Sequence, residues 1–276
     1  MQERFFRGKK QICDFTLDDL ESVTNTDIEY FLGVLTHYKY GERDHYCNER
    51  AKARKLSSVR AMFKHFFNKG LISVDNSAKV ATPKLHEKPI IRLEQNEVFD
   101  IIDTVESGSG LSPHQRAYHE KNKVRDSAIL MLFLGTGIRI SELVGLNNED
   151  INFDNNSFIV TRKGGSKSIL YFDSDVAAAL ARYIEQKENL PVSREDSNAL
   201  FLSGRNSRIT VRAVENLVQK YAKIVSPLKK ISPHKLRSTY GTQLYKATGD
   251  IYIVADILGH KDVNTTRKHY AAISDD

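Results

Sequence analysis

The chain of 276 residues contains only two cysteines, Cys13 and Cys47, no internal repeat and no run of apolar residues long enough to cross a bilayer. Two cysteines at that spacing supply neither a disulfide framework nor a metal-ligand pair, so a stapled secreted fold and a structural zinc centre are excluded and a reducing cytoplasm is the expected location. A membrane-spanning helix needs about 20 consecutive apolar residues, which excludes one here. The opening MQERFFRGKK is basic but lacks the apolar stretch of a secretory signal. Intrinsic disorder is excluded by the balance of the rest: hydrophobic residues make up 40% of the chain and charged residues 28%, mixed in sign, which allows a sizeable core and one large or two ordinary domains.

What is present begins with charge. The formal net charge is +6 and the pI about 9.1. This favours an anionic partner such as nucleic acid, although many soluble proteins are as basic without one. The excess is uneven: the first 85 residues hold 15 Lys and Arg against 11 Asp and Glu, while the remaining 191 hold 26 against 24. Within the more basic part, helical spacing of Ile28, Phe31, Leu32 and Leu35 predicts a helix over about 27–38. A second helix is predicted over about 49–69, with Leu56, Val59, Phe63, Phe66 and Phe67 on its apolar face. Arg50, Lys52, Arg54, Lys55, Arg60 and Lys64 crowd the rest of that helix. They read either as a solvated face or as a surface laid against DNA phosphates.

The segment from Val80 to Leu93 contains two prolines and reads as an extended linker. Helical pattern resumes near Glu94, and a Gly- and Ser-rich gap over 106–119 reads as a loop. Beyond it the pattern predicts an apolar helix over 124–134 and strands at 157–161 and 168–172 joined by the turn KGGSK. Helices are expected at about 174–188, 210–225, 233–247 and 251–258, with a short one from about 265 and a third strand at 199–202. Helix dominates, so the expected class is mainly α with a small antiparallel sheet.

Four segments carry residues suited to chemistry on a phosphate. In GTGIRISEL, Arg139 follows a glycine turn and Glu142 stands three residues on, spaced to hold the guanidinium. By itself this is an ordinary Arg–Glu helix pair. In TRKGGSKSI, Lys163 sits in a tight turn, with Lys167 its rival; a solvated turn is the plainer reading. In SPHKLRSTYGT, Ser232 is a good N-cap, Pro233 suits the first helical position, and His234 and Arg237 share a face of the opening turns, where the positive end of the helix dipole favours an anion. In LGHKDVNTTRKHY, His260 follows a glycine that ends one helix, Asn264 can cap the next, and Tyr270 lies on it.

Each segment alone is ambiguous; their order is specific. Arg, then a turn lysine, then H-x-x-R, then Gly-His, then Tyr ten residues later resembles the tyrosine recombinase family, and the sequence looks nearest to Xer-type recombinases and the integrases of phages and conjugative transposons. The resemblance covers Glu94 to Tyr270 and extends more loosely to the basic helical part before it.

The resemblance implies a two-domain clamp around duplex DNA. It has a helical DNA-binding domain at 1–82, a linker at 83–93 and a catalytic domain at 94–276. It implies site-specific strand cleavage and rejoining through a 3′-phosphotyrosine link and a Holliday junction, by a homotetramer on paired sites, with accessory proteins possible and no metal, ATP or other cofactor. Arg139 and Arg237 would hold the phosphate oxygens, Lys163 protonate the 5′-oxygen, His234 assist proton transfer from the nucleophile Tyr270, and His260 hydrogen-bond the phosphate. Glu142 would orient Arg139. A type IB topoisomerase and a non-catalytic DNA-binding relative are the alternatives. Two departures from the family pattern stand out: only six residues follow Tyr270, and no further helix is expected before residue 27, so trimming is expected at both ends.

Overall fold

The structure, a computed structural model, describes residues 14–85, 91–162, 164–193 and 195–259, together with Val263 and Thr266. Contacts divide the chain into two compact units, Met1–Lys88 and Pro89–Asp276. Among the described residues the molecule is mainly helical, with a two-stranded and a three-stranded antiparallel sheet. No helix among them is long and apolar enough to cross a membrane.

The first unit opens with two short helices, α1 (Leu17–Glu21) and α2 (Asn25–Val34). Each starts at a Thr-x-x-Asp box: the threonine hydroxyl accepts the backbone N–H three residues on, and the aspartate there accepts the threonine's own N–H. α1 therefore supplies the helix that sequence patterning does not place before residue 27. The helix expected to run to Tyr38 ends at Val34 instead. The next residues form a hairpin, β1 (His37–Tyr40) and β2 (Arg43–Tyr46), in the register His37↔Tyr46 to Tyr40↔Arg43. Aromatic alternation decides this locally. His37 stacks on Tyr46 at 4.7 Å and Tyr38 on His45 at 5.3 Å between ring centroids, cross-strand pairs a helix could not make. Gly41, at φ 61°, supplies the turn.

α3 (Glu49–Asn68) follows, capped by Asn48, whose side chain accepts from the Ala51 N–H. Leu56 and Phe63 are fully buried with Ile28, Leu32, Ile72 and Val80, and Val59 and Phe66 pack alongside. Phe67, expected on the same face, is exposed.

In the second unit, α4 (Gln95–Ser107) and α5 (Pro113–Thr136) are separated only by 108–112, so the expected loop over 106–119 is mostly helix. Ser112 caps α5 in a box with Gln115, and Pro113 takes the first helical position. The first half of α5 is polar and mostly exposed, which hides its helical character, but at His119 it buries against a polar partner. His119 Nδ1 meets the Tyr221 hydroxyl at 3.0 Å, that hydroxyl donates to Asp126 at 2.9 Å, and Arg125 and Lys220 close on the same carboxylate. Burial, then the neighbouring Asp126 charge, pushes the Tyr221 phenol well above its ordinary range. The second half of α5 is buried nearly all round, which makes it the central rod of the unit.

After α6 (Ile140–Gly145) the sheet forms from β3 (Ile151–Asn152), β4 (Ser157–Thr161) and β5 (Lys167–Tyr171) in the order β3-β4-β5. The third strand is thus Ile151–Asn152 rather than 199–202. Residues 199–202 are buried, but they satisfy their backbone one group at a time: Leu200 N–H donates to Leu146, Phe201 C=O accepts from Ile209, and the Lys187 ammonium reaches the carbonyls of Ala199 and Leu200. The helices α7 (Ser174–Glu188), α8 (Val211–Val225), α9 (Pro233–Thr248) and α10 (Ile251–Ile257) complete the described unit. α7, α4 and α9 all pack on α5, and the Leu93 N–H donates to Thr239 of α9 at 3.0 Å.

Gly137 is the hinge of this arrangement. It ends α5 at φ 61°, and a Cβ there would lie 2.4 Å from Tyr240 Cδ1 and 3.0 Å from Leu258 Cδ2. Gly137→Ala should lose about 2–4 kcal/mol of stability in urea titrations, combining left-handed strain with overpacking. Gly145→Ala, with nothing within 4 Å of its added Cβ, should leave the midpoint unchanged or slightly raised. Equal midpoints for the two variants would refute this account.

Candidate active site

The left-handed residue at Gly137 turns the chain so that Ile138 is buried and Arg139 stands at the N-cap of α6. Glu142, one turn on, holds Arg139 twice: Oε2 accepts the Arg139 backbone N–H at 3.0 Å and Oε1 accepts Nη1 at 2.8 Å. The other end of the guanidinium, Nη2, donates to the carbonyls of Leu258 at 3.0 Å and Gly259 at 2.8 Å.

Arg237 arrives from α9. It is 5% exposed and donates to the carbonyls of Gly137 and Leu258. The Leu258 oxygen therefore lies between the two guanidinium groups, although α6 and α9 are far apart in sequence. Ser232 occupies the N-cap of α9 as expected, but its side chain makes no cap bond; its carbonyl accepts from Lys235 and Leu236 instead. Pro233 is the first helical residue, and His234 follows it, exposed on the opening turn.

A third guanidinium joins them. Arg162 is only 9% exposed in its side chain, and its Nη1 lies 3.1 Å from Glu142 Oε1 while Nη2 donates to the Ile257 carbonyl at 3.2 Å. Three arginines thus face the carbonyls of residues 257–259, at the C-terminal end of α10, where the last carbonyls of a helix lack intrahelical partners. Sequence reasoning passes over Arg162. The signal available was alternation: Phe158 and Val160 of β4 point inward, and two residues on, the same side of the chain carries Arg162.

Glu142 is the carboxylate that Arg139 and Arg162 share, with 3% of its side chain exposed. Burial alone would raise its pKa, but the Arg139 backbone N–H, the Arg139 guanidinium and the Arg162 charge outweigh it and hold the carboxyl below its ordinary value of 4.5.

The structure places Arg139, Glu142 and Arg237 together and sets His234 on the same helix as Arg237. Lys163, His260, Asn264 and Tyr270 lie outside the described residues. Lys167, the rival lysine, opens β5 and is exposed. In the first unit, Arg50, Arg54 and Lys64 are exposed on α3, Lys52 pairs with Glu49 at 3.0 Å, and Lys55 is half-buried. Arg60 turns inward, donating to the carbonyls of Ser77 and Val80 and to Thr82 Oγ1.

Residues 92–276 match the family model described as the phage integrase family. The chain belongs to the phage integrase family. Among curated relatives, tyrosine recombinase XerC of Syntrophus aciditrophicus (strain SB) is 33% identical over 231 residues, 80% of this chain and 69% of the relative. Tyrosine recombinase XerS of Streptococcus agalactiae serotype III (strain NEM316) is 30% identical over 292 residues, 96% of this chain and 80% of the relative. Among solved structures, the fold is similar to that of XerH site-specific recombinase bound to palindromic difH substrate, with TM-score 0.72 and 17% identity over 98% of this chain and 71% of that one. It is also similar to the Tn1549 transposon integrase in complex with circular intermediate DNA, with TM-score 0.70 and 21% identity over 98% and 87%. With these relatives the integrase-family chain is a tyrosine site-specific recombinase.

The depressed Glu142 carboxyl gives a pH prediction for this recombinase. Its contribution to stability is fully present above its unfolded-state pKa and is lost as pH falls through the lower folded value. Glu142→Gln should therefore be destabilised at pH 7, by about 1–3 kcal/mol, and should show a shallower loss of urea midpoint below about pH 4.3 than the unaltered chain. Parallel acid profiles for the two proteins would count against an ionised, arginine-held Glu142.

Proposed function

We propose that Tyr270 attacks one DNA phosphodiester at a specific site while Arg139 and Arg237 hold its non-bridging oxygens, and that Lys163 protonates the departing 5′-oxygen. His234 assists proton transfer from the phenol, His260 hydrogen-bonds the phosphate, and Glu142 keeps Arg139 in place. The observation that carries this reading is the meeting of the Arg139 and Arg237 guanidinium groups at one carbonyl oxygen, that of Leu258. Two planar donor groups at a single oxygen form the arrangement that the crowded, doubly charged phosphorane-like transition state requires.

The chemistry balances without an outside energy source. The phenolic oxygen forms a bond to phosphorus as the bond from phosphorus to the 5′-oxygen breaks; the phenol loses a proton and the 5′-oxygen gains one. The phosphodiester energy stays in the 3′-phosphotyrosine link, so a free 5′-hydroxyl from another strand can reverse the reaction. A phenol with a pKa near ~10 is a weak nucleophile at neutral pH, so charge neutralisation by the arginines and acid catalysis by a lysine carry the rate. Exchange between two duplexes cuts four strands through a four-way junction. One tyrosine per strand calls for four copies of the chain on paired sites.

Duplex DNA is the partner this reading requires. In the first unit the exposed Arg50, Arg54 and Lys64 lie on one side of α3, with Ser57 and Ala61 between them, opposite the buried Leu56 and Phe63. Small residues among cations let a helix backbone approach phosphates closely. Arg60, held within its own unit, falls outside that stripe.

The test begins by trapping covalent protein–DNA adducts in DNA from the native host and sequencing the attached ends, which defines the site. On that site Tyr270→Phe should bind as the unaltered chain does and give no adduct; a remaining adduct would assign the nucleophile elsewhere. Arg237→Ala should slow cleavage by about 10²–10³-fold, the usual loss for one oxyanion donor. Its affinity should change little, because many other contacts hold the DNA. Supercoil relaxation on plasmids lacking the site would favour a type IB topoisomerase instead, and a nicked site that yields no Tyr270-dependent adduct would favour a non-catalytic DNA-binding protein.

A further inference from the structure

We infer that Arg162 is a positioning residue that ties the loop carrying Lys163 to the phosphate-binding arginines, so that proton delivery to the leaving group depends on it. The inference rests on the reading of Lys163 as the general acid.

Arg162 is the root of that loop by its backbone. Its N–H donates to the Ser166 carbonyl at 2.7 Å and its carbonyl accepts from the Gly165 N–H at 3.0 Å, which closes the turn over residues 162–166. The loop itself offers little to set a direction: Gly164 and Gly165 lie at φ 99° and 84°, and a Cβ on either would meet nothing within 4 Å. Register must then come from the root.

The Arg162 side chain supplies it. Its guanidinium is anchored on Glu142 and on the Ile257 carbonyl, and it lies flat under the turn at Gly259, where an added Cβ would sit 3.0 Å from its Cζ. A Cβ at 259 would force that guanidinium to shift by a few tenths of an ångström. Glu142 Oε1 accepts both from Arg162 and from Arg139, so one carboxylate oxygen fixes the distance between the lysine loop and a phosphate-binding arginine. The Arg162 Nε is buried and makes no hydrogen bond among the described residues. A group wanted only for fold stability would be better served by an apolar side chain at that atom, since a buried donor without a partner is destabilising. A lysine at 162 could pair with Glu142, but its single ammonium could not also span to Ile257 or cover the Gly259 turn.

The experiment compares two suicide substrates built on the site mapped above. One carries an ordinary phosphodiester at the cleaved position, and the other carries sulfur in place of the bridging 5′-oxygen. A thiolate leaves without being protonated, so the sulfur substrate bypasses the general acid. Arg162→Lys and Arg162→Ala should cleave the ordinary substrate at least about 10²-fold more slowly, the scale of general acid catalysis, yet cleave the sulfur substrate within about threefold of the unaltered chain. Recovery on sulfur also demonstrates that each variant is folded and binds DNA.

Equal losses on both substrates would overturn the inference, because Arg162 would then act on phosphate binding or on the fold. Unchanged cleavage of both would overturn it equally. Lys163→Ala separates the inference from the reading beneath it. If Lys163→Ala is not rescued by sulfur, the general-acid assignment falls and the inference falls with it. If Lys163→Ala is rescued and the Arg162 variants are not, the inference alone falls.

Discussion

Among the described residues, two guanidinium groups on one carboxylate and a third that shares the Leu258 carbonyl leave a surplus of positive charge in a corner from which most water is excluded, since Arg162, Arg237 and Glu142 are each less than a tenth exposed. Like charges so placed repel strongly, and they are tolerated only because fixed dipoles take up the excess. The carbonyls of Gly137, Ile257, Leu258 and Gly259 do this, three of them at the C-terminal end of α10, where the helix dipole is negative. The turn before His260 is thus part of the electrostatics as well as a connection. On the proposed reading, a phosphodiester entering beside it would meet donors already oriented and a site whose charge its own arrival would bring toward neutrality. This is the preorganisation that makes electrostatic catalysis effective, because little has to reorganise at the moment of reaction.

The fold serves this corner by ending elements there. α5 is buried nearly all round over its second half, so its C-terminal end is a fixed point, and Gly137 reverses the chain from it in one residue. α10 ends at the same place through Gly259, at φ 58°. α9 crosses α5 with Arg237 in reach of both ends. Glycine is favoured at 137 and 259 for two reasons at once: the backbone is left-handed, and a Cβ would collide with Tyr240 in one case and press the Arg162 guanidinium aside in the other. Residues at element ends next to such glycines take their position from backbone geometry, which is stiffer than a long side chain's rotamers.

How much of this could be read from the residues follows from the kind of signal each part emits. The meeting of Arg139 with Glu142 was legible because the two are three apart beside the helix boundary at Gly137, and the placement of Arg237 at the start of a helix was legible from Ser232-Pro233. The first half of α5 was not, because residues 113–122 are polar, and binary patterning treats polar as exposed; it cannot foresee His119 buried on Tyr221. The hairpin at His37–Tyr46 was missed because an apolar helical period ran directly into it, and only cross-strand aromatic stacking separates the two. Residues 199–202 read as a strand because they are apolar and buried, but burial does not say where backbone hydrogen bonds go, and here they go to several separate segments. The role of Arg60 in holding Val80 and Thr82 was equally invisible, since a cation that serves the fold and one that serves a ligand look alike in a helical pattern.

Arg162 shows where that ambiguity matters most. In a string of residues it is one more cation beside a lysine, at the end of a strand, and the lysine attracts the attention. In three dimensions the strand's alternation carries it inward to the same oxygen of Glu142 that holds Arg139. That oxygen is a shared anchor for both side chains, so on the proposed reading the lysine loop takes its register from the same carboxylate that holds Arg139. Such coupling suits a reaction whose transition state needs both together. A phosphate held without an acid leaves the 5′-oxygen unable to depart, and an acid presented without the held phosphate has nothing to protonate. On the proposed reading, a single buried carboxylate between two guanidiniums gives the acid and the phosphate-holding arginine one common reference point.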